Sequence, residues 1–339
     1  LPGPESPRAV VFGCAGPTLS AAERGLFRDA DPLGFILFRR NCVDPEQVRT
    51  LVADLRDAVG RVCPVLIDQE GGRVQRLRAP HWRETPAAAR LAALGGDTAI
   101  EAVTLAHRLI ACQLATLGVT VDCAPVLDLA RPETTDAIGD RAFSSEIDAV
   151  TALGRAAIDG LMAGGILPVI KHMPGHGRAT VDSHHDLPRV SADLATLATS
   201  DFAPFRALND APWGMTTHIV FDAIDPERPA TCSPTVIEDV IRGEIGFEGV
   251  LVSDDIVMQA LEGSPAERAQ RALSAGCDVV LDGAGDLEAM HAVTAAVPLL
   301  TDAARARLER AEARRPAPDD VDPDALAARL DVLLASGQD

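Results

Sequence analysis

The sequence contains no tyrosine, and its 339 residues include only nine phenylalanines and two tryptophans. Alanine, leucine and valine must therefore do most of the packing, in a chain long enough for a substantial hydrophobic core. The seven cysteines, at positions 14, 42, 63, 112, 123, 232 and 277, form no CxxC pair. Several lie inside apolar runs such as GVTVDCAPVLD and GCDVVLDG, which suit a small buried thiol. Their odd number and wide spacing fit a reducing compartment, and a cytoplasmic location is expected. Positive charge is also scarce: the formal net charge is −19 and the pI is near 4.8. That balance argues against a nucleic-acid surface, which needs clustered Lys and Arg, and against an anionic membrane surface. No apolar span approaches bilayer length, and no charged start followed by an apolar segment marks a signal peptide. The expected partner is a small molecule, with no nucleic acid and no membrane, and the chain is expected to act as a monomer.

What the chain does have is a repeated alternation of short apolar runs and helical patterns. Strand candidates are VVFGCAG (10–16), GFILFRR (34–40), CPVLIDQEGG (63–72), GVTVDCAPVLDLA (118–130), a run opening at Ile166, WGMTTHIVF (213–221), GVLVSDDIVM (249–258) and CDVVLDG (277–283). Asp44-Pro45 starts a helix through Val59, with the proline in the first turn, where its missing donor costs nothing. Further helices are expected over 20–29, 98–117, 146–163, 191–208, 233–246 and 266–276, with Ser233 as a cap. The connection 73–97, with Pro80, Trp82 and Pro86, is longer than usual and should fold over something. Eight such units predict an α/β fold, a (β/α)8 TIM barrel with some irregularity in its early strands; a doubly wound open sheet is the alternative. Asp68, Glu70, Asp128, Lys171, His172, His218, Asp254, Asp255 and Asp282 all fall at or just beyond C-terminal strand ends. A closed barrel brings those ends to one mouth, which favours it. The expected division is a catalytic barrel over 8–312 and a C-terminal helical extension packed on it over 313–339.

The stretch Ile166–Pro188, ILPVIKHMPGHGRATVDSHHDLP, carries the densest chemistry. It opens as a buried strand and then releases Lys171, His172, His176, Asp182, His184, His185 and Asp186, with Pro174, Gly175 and Gly177 shaping the turn. A core strand would not desolvate so many titratable groups, so they should lie on a loop past its end. Asp182-Ser183-His184 lets a carboxylate orient a nearby imidazole and raise its basicity. Metal binding by His172, His176, His184 and His185 is an alternative, although their spacing matches no compact zinc signature. Asp254, at the rim of the seventh strand, converges on the same mouth. A carboxylate facing a carboxylate-supported histidine suits glycosyl transfer, one group attacking the anomeric carbon and the other protonating the departing oxygen. Asp68, Arg76, Arg141, Lys171 and His172 would surround a polyhydroxylated ligand with hydrogen bonds.

The set IDQEGGRVQR (67–76), DRAF (140–143), IKHMPGHG (170–177), DSHHDLP (182–188), TTHIVF (216–221) and GVLVSDDIVM (249–258) resembles the bacterial β-N-acetylglucosaminidases of glycoside hydrolase family 3, of the single-domain peptidoglycan-recycling kind. The resemblance covers roughly residues 10–300. It implies Asp254 as nucleophile, His184 as general acid/base with Asp182 as its partner, and Asp68, Arg76, Arg141, Lys171 and His172 as ligands of a non-reducing terminal N-acetylglucosamine. It further implies retention of configuration through a covalent glycosyl-enzyme, no cofactor and no metal, and a substrate in which N-acetylglucosamine is joined to 1,6-anhydro-N-acetylmuramic acid, with or without peptide. Met173 stands where phenylalanine is usual, Arg40 and Cys42 flank Asn41 in place of a more familiar aromatic-bearing segment, and Thr217 stands before His218 where alanine is common; none removes a reacting group. Alternatives are a phosphorylase or a broad β-glycosidase on the same scaffold, a metal-dependent amidohydrolase, which would want an HxH where the first strand offers Gly13-Cys14-Ala15-Gly16, and a non-catalytic sugar-binding barrel.

Overall fold

The computed structural model describes residues 6–132, 136–181 and 187–336. The strands are β1 (Arg8–Phe12), β2 (Pro32–Leu37), β3 (Val65–Ile67), β4 (Val121–Asp122), β5 (Leu167–Met173), β6 (Arg189–Val190), β7 (Trp213–Thr216), β8 (Val220–Phe221), β9 (Val250–Asp255) and β10 (Val279–Asp282). Eight of them close a barrel in the order β1-β10-β9-β7-β5-β4-β3-β2, every neighbouring pair parallel. This is the expected (β/α)8 TIM barrel, and all strand C-termini open on one face.

The helices α1 (Ala21–Ala30), α2 (Pro45–Val59), α3 (Ala88–Ala92), α4 (Gly96–Thr116), α5 (Ile147–Ala163), α6 (Leu194–Thr199), α7 (Ala203–Ala207), α8 (Pro265–Ala275), α9 (Leu287–Ala296), α10 (Asp302–Ala313) and α11 (Pro323–Ser336) surround it. Local signals set many of their ends. Asp44 accepts the N–H groups of Glu46 and Gln47 to start α2, and Gly60, at φ 66°, ends it. Ser20 with Glu23, and Ser264 with Glu267, form reciprocal capping boxes on α1 and α8. One face of α2, carrying Val48, Leu51, Val52 and Leu55, is buried against the barrel. The core is aliphatic, as the composition requires, with Phe27 packed between Phe12 and Phe35 at ring separations of 6.2 and 4.8 Å. All seven cysteines are free thiols and six are buried.

The early strands β1 and β3 are shorter than their apolar runs, and three elements differ more deeply from expectation. The fourth strand shrinks from 118–130 to Val121–Asp122, because Pro125 has no N–H for the ladder. The chain still tracks β5 beyond it, through Leu127 N–H to Lys171 O at 2.8 Å and Lys171 N–H to Pro125 O at 3.2 Å. The run 213–221 breaks after Thr216, and its end, β8, leaves the barrel to pair with β6 in a separate two-stranded sheet. The helix expected over 191–208 divides into α6 and α7. Ser200 departs from helical geometry where buried Asp201 takes the Arg178 guanidinium at 2.7 Å, and Pro204 restarts the next helix. The segment after Ser233 is helical, as expected, and Ser233 Oγ accepts the Val236 N–H. Its turns over Val236–Glu244 are of the wide π type, seen in the Ile245 N–H bond to Val240 O.

Past α10 the chain crosses the end of α5, with Asp319 N–H bonded to Ala163 O and Arg108 paired with Asp319 at 3.2 Å. Helix α11 then lies against α4: Leu330 and Leu333 are buried, and Arg329 pairs with Glu101 through two bonds of 2.7 and 2.8 Å. Among the described residues no helix is long and apolar enough to cross a membrane.

Candidate active site

The loop after β3 begins with Asp68 and turns at Gly71 and Gly72, whose φ values of 103° and 57° suit residues without a side chain. Gln69 locks this loop. Its amide oxygen accepts the N–H groups of Arg76 and Leu77 at 2.9 and 3.0 Å, and its own N–H bonds to buried Asp122. Arg76 is thereby returned to the mouth, where its guanidinium meets Asp68 Oδ2 at 2.9 Å.

Lys171, from the end of β5, is 2% exposed and reaches Asp68 Oδ1 at 2.8 Å and Glu70 Oε1 at 2.6 Å. Arg141, from the loop after β4, grips Glu70 with two bonds of 2.8 Å each. Three cations thus interlock with two carboxylates at the barrel mouth. Burial pushes Asp68 and Glu70 up, but Lys171 with Arg76 outweighs it for Asp68, and Arg141 with Lys171 for Glu70, which falls to about 2. Burial alone would lower Lys171, yet Asp68 and Glu70 raise it above its ordinary value, so the ammonium is fixed. Both members of each pair are ionised over the neutral range.

His172 bonds through Nδ1 to Asp128 Oδ2 at 2.7 Å, and its Nε2 lies 3.4 Å from an Arg141 nitrogen. His176 packs edge-on against it at 5.5 Å, and burial, followed by the neighbouring His172, lowers it to about 4.

Asp254 ends β9. Burial would raise its carboxyl, but His218, His172 and the Asp255 N–H, at 2.8 Å from Oδ1, hold it below the ordinary value. His218 is fully buried, lowered by that burial, and bonds through Nε2 to Asp255 O at 3.0 Å and through Nδ1 to Thr231 Oγ1 at 2.8 Å. Burial raises Asp255 to about 7; its Oδ1 takes the N–H groups of Gly283 and Val257.

Asp68, Arg76, Arg141, Lys171, His172 and Asp254 line one cavity of about 500 Å³ at the barrel mouth. Phe38 also lines it, with the Arg40 and Arg76 guanidinium carbons 4.8 and 5.5 Å from its ring centre. Six of the eight sequence-derived site residues therefore converge on one space. The other two, Asp182 and His184, lie outside the described residues. Among the described residues no group of three or more His, Cys, Asp or Glu side chains is placed to hold a metal ion.

Glu70, Asp128, His218 and Asp255 were visible only as polar residues at strand ends, and nothing in the sequence gave them partners. A stronger signal was present for Lys171: among 31 basic residues it is the single lysine, all others being arginine. A compact ammonium fits between two carboxylates where a planar guanidinium would not.

A family model, the glycosyl hydrolase family 3 N-terminal domain, matches residues 18–314. The chain belongs to glycosyl hydrolase family 3. This family 3 hydrolase is 42% identical over 279 residues to a β-hexosaminidase of Alkalilimnicola ehrlichii, spanning 80% of this chain and 79% of that one. It is 40% identical over 294 residues to a β-hexosaminidase of Stenotrophomonas maltophilia, spanning 84% and 86% respectively. Its fold superposes on native NagZ of Neisseria gonorrhoeae with a TM-score of 0.83 and 30% identity, over 98% of both chains. A family 3 β-N-acetylglucosaminidase of Paenibacillus sp. gives a TM-score of 0.84 and 31% identity over 96% of this chain and 67% of that one. The family 3 barrel is thus that of an enzyme acting on glycosidic bonds.

Proposed function

We propose that this chain is a retaining exo-β-N-acetylglucosaminidase that removes non-reducing terminal N-acetylglucosamine from peptidoglycan fragments, N-acetylglucosaminyl-1,6-anhydro-N-acetylmuramic acid with or without peptide, in the cytoplasm. The observation that carries the reading is the single cavity in which Asp254 faces the interlocked set Asp68, Arg76, Arg141, Lys171 and His172. The names of its β-hexosaminidase and β-N-acetylglucosaminidase relatives support the same sugar.

Asp254 serves as the nucleophile. One of its oxygens is held by the Asp255 N–H, the other is left to attack the anomeric carbon, and the depressed pKa keeps it ionised. The covalent ester inverts the anomeric centre once and its hydrolysis inverts it again, so β configuration is retained. His184, oriented by Asp182, donates the proton to the departing oxygen and then takes one from water; these two roles rest on the DSH sequence. The remaining five residues bind the sugar, and the small positive surplus of their cluster is available to an ionised aglycone in an otherwise acidic protein.

The experiment is product analysis on a β-linked N-acetylglucosaminyl disaccharide in phosphate buffer, wild type beside Asp254→Asn. Wild type should release free β-N-acetylglucosamine, and the variant should fold yet lose nearly all cleavage. Release of the sugar 1-phosphate would replace hydrolysis by phosphorolysis, and wild-type turnover by Asp254→Asn would remove the nucleophile assignment.

A further inference from the structure

Asp128 lies outside the residues assigned to the sugar or to the reaction, yet it is only 1% exposed and makes three hydrogen bonds. Its Oδ1 accepts the backbone N–H groups of His172 and His176 at 3.3 and 2.7 Å, and its Oδ2 sits 2.7 Å from His172 Nδ1. Burial would raise this carboxyl, but the N–H donors of His172 and His176 hold it below its ordinary value, and with Oδ1 already taking two backbone N–H groups it is a carboxylate that can only accept. The proton of that bond therefore belongs to His172 Nδ1. The opposite nitrogen, Nε2, faces an Arg141 N–H at 3.4 Å, and a guanidinium has no lone pair to offer. Nε2 must present its own lone pair. Donor and acceptor roles on both sides of the ring select one tautomer.

We propose that Asp128 is a positioning residue that fixes His172 as the Nδ1–H tautomer, so that the imidazole meets the bound sugar as a hydrogen-bond acceptor. The inference rests on the reading of the cavity as a sugar site. It specifies what that part of the site reads. Arg141 supplies a donor and His172 an acceptor on adjacent walls, and their 3.4 Å separation is long for a direct bond. A hydroxyl oxygen seated beside the two nitrogens, within reach of both, accepts from Arg141 and donates to His172, satisfying both. A fluorine or a methoxy group at that position can accept but cannot donate, so it leaves Nε2 unmatched. The pair thus recognises a free hydroxyl on the ring, as distinct from any small acceptor.

Asp128→Asn separates these roles with little change of shape. The amide oxygen can keep the two backbone N–H groups, which turns the amide NH2 towards His172 Nδ1. The ring must then accept at Nδ1 and carry its proton on Nε2, against the Arg141 donor. The experiment has two parts. Nitrogen-15 spectra of the sugar-free protein, with His172 assigned by difference from His172→Gln, should show Nδ1 protonated in wild type and Nε2 protonated in Asp128→Asn. Calorimetry with N-acetylglucosamine-type inhibitors should show affinity lower by about ten- to a hundredfold in Asp128→Asn, the range for an unmade buried hydrogen bond. Among 3-, 4- and 6-deoxyfluoro inhibitors, one should bind wild type weakly and lose nothing further in the variant. A wild-type ring with Nε2 protonated, or a variant that keeps the Nδ1–H form, overturns the positioning role. Tautomer inversion with unchanged affinity overturns the sugar contact and, with it, the reading of His172 as a sugar ligand, independently of Asp254.

Discussion

Replacing Glu70 by glutamine tests whether the interlocked charges at the barrel mouth behave as one unit. Glu70 accepts two bonds of 2.8 Å from Arg141 and one of 2.6 Å from Lys171, all in a setting where the carboxylate is 8% exposed. In the native protein Arg76, Arg141 and Lys171 face Asp68 and Glu70, a surplus of one positive charge. Glu70→Gln doubles that surplus while keeping the side chain's shape, and leaves two buried cations competing for Asp68 and neutral acceptors. Breaking a buried ion pair from one side costs about 3–5 kcal/mol. With an unfolding entropy of about 2.1 cal/mol/K per residue, the 339-residue chain should lose about 4–7 °C in Tm. Inhibitor affinity should fall as well, because Arg141 would keep its bond to Ala137 O, its contact with His172 and at most one neutral amide oxygen in place of two carboxylate oxygens. A second substitution, Lys171→Met, restores the native surplus. The double variant should therefore recover part of the lost Tm without recovering affinity. The assays are thermal unfolding and isothermal calorimetry on the wild type, both single variants and the double. Additive losses of Tm, or a Glu70→Gln protein within about 1 °C of wild type with unchanged affinity, would refute the account of a coupled cluster.

Two other outcomes follow from the wall around Asp255. Its carboxyl is raised by burial to about 7, so between pH 4 and that value the folded state holds a proton that the unfolded chain has released; stability should fall as pH rises through this window. Urea unfolding at about pH 5 and about pH 8 should show a smaller decline for Asp255→Asn than for wild type, and equal declines would discount Asp255 as the source. Gly283 leaves no room for a side chain: a Cβ there would fall 2.4 Å from Asp255 Oδ2 and 2.6 Å from the Phe38 ring. Gly283→Ala should cost about 1–3 kcal/mol by overpacking and weaken sugar binding through displaced Phe38 and Asp255, and a variant with wild-type Tm and affinity would show that the wall yields freely.

The sequence made the strand-end residues legible because a barrel turns a linear rule into a spatial one. Asp68, Lys171, His172 and Asp254 each follow an apolar run, and closure of eight parallel strands brings all such positions to one rim. Partnerships between them were not legible, since they join residues far apart in the chain. Glu70 meets Arg141 across 71 positions and Lys171 meets Asp68 across 103. Which carboxylate takes which cation depends on the register of the barrel, which hydrophobic pattern alone does not give. The same limit hid Asp128, whose partner His172 is 44 positions away. Local chemistry was read well where it is local, as in the Asp44-Pro45 start of α2. It was read less well where a tertiary contact overrides it, as in the division of α6 from α7 at Asp201.

The lone lysine has a consequence for how this protein meets reactive chemistry. Apart from the α-amino group, the one primary amine of the chain is that behind Asp68 and Glu70, so the folded surface offers acylating reagents no side-chain amine. Held protonated by its two carboxylates, that amine is also a poor nucleophile until the mouth of the barrel opens. The rate at which Lys171 is acylated in the native protein is therefore a clock for local opening of the sugar cavity, readable in a single peptide by mass spectrometry. A bound sugar stops the clock by closing the route, whereas a ligand seated elsewhere on the barrel leaves it running.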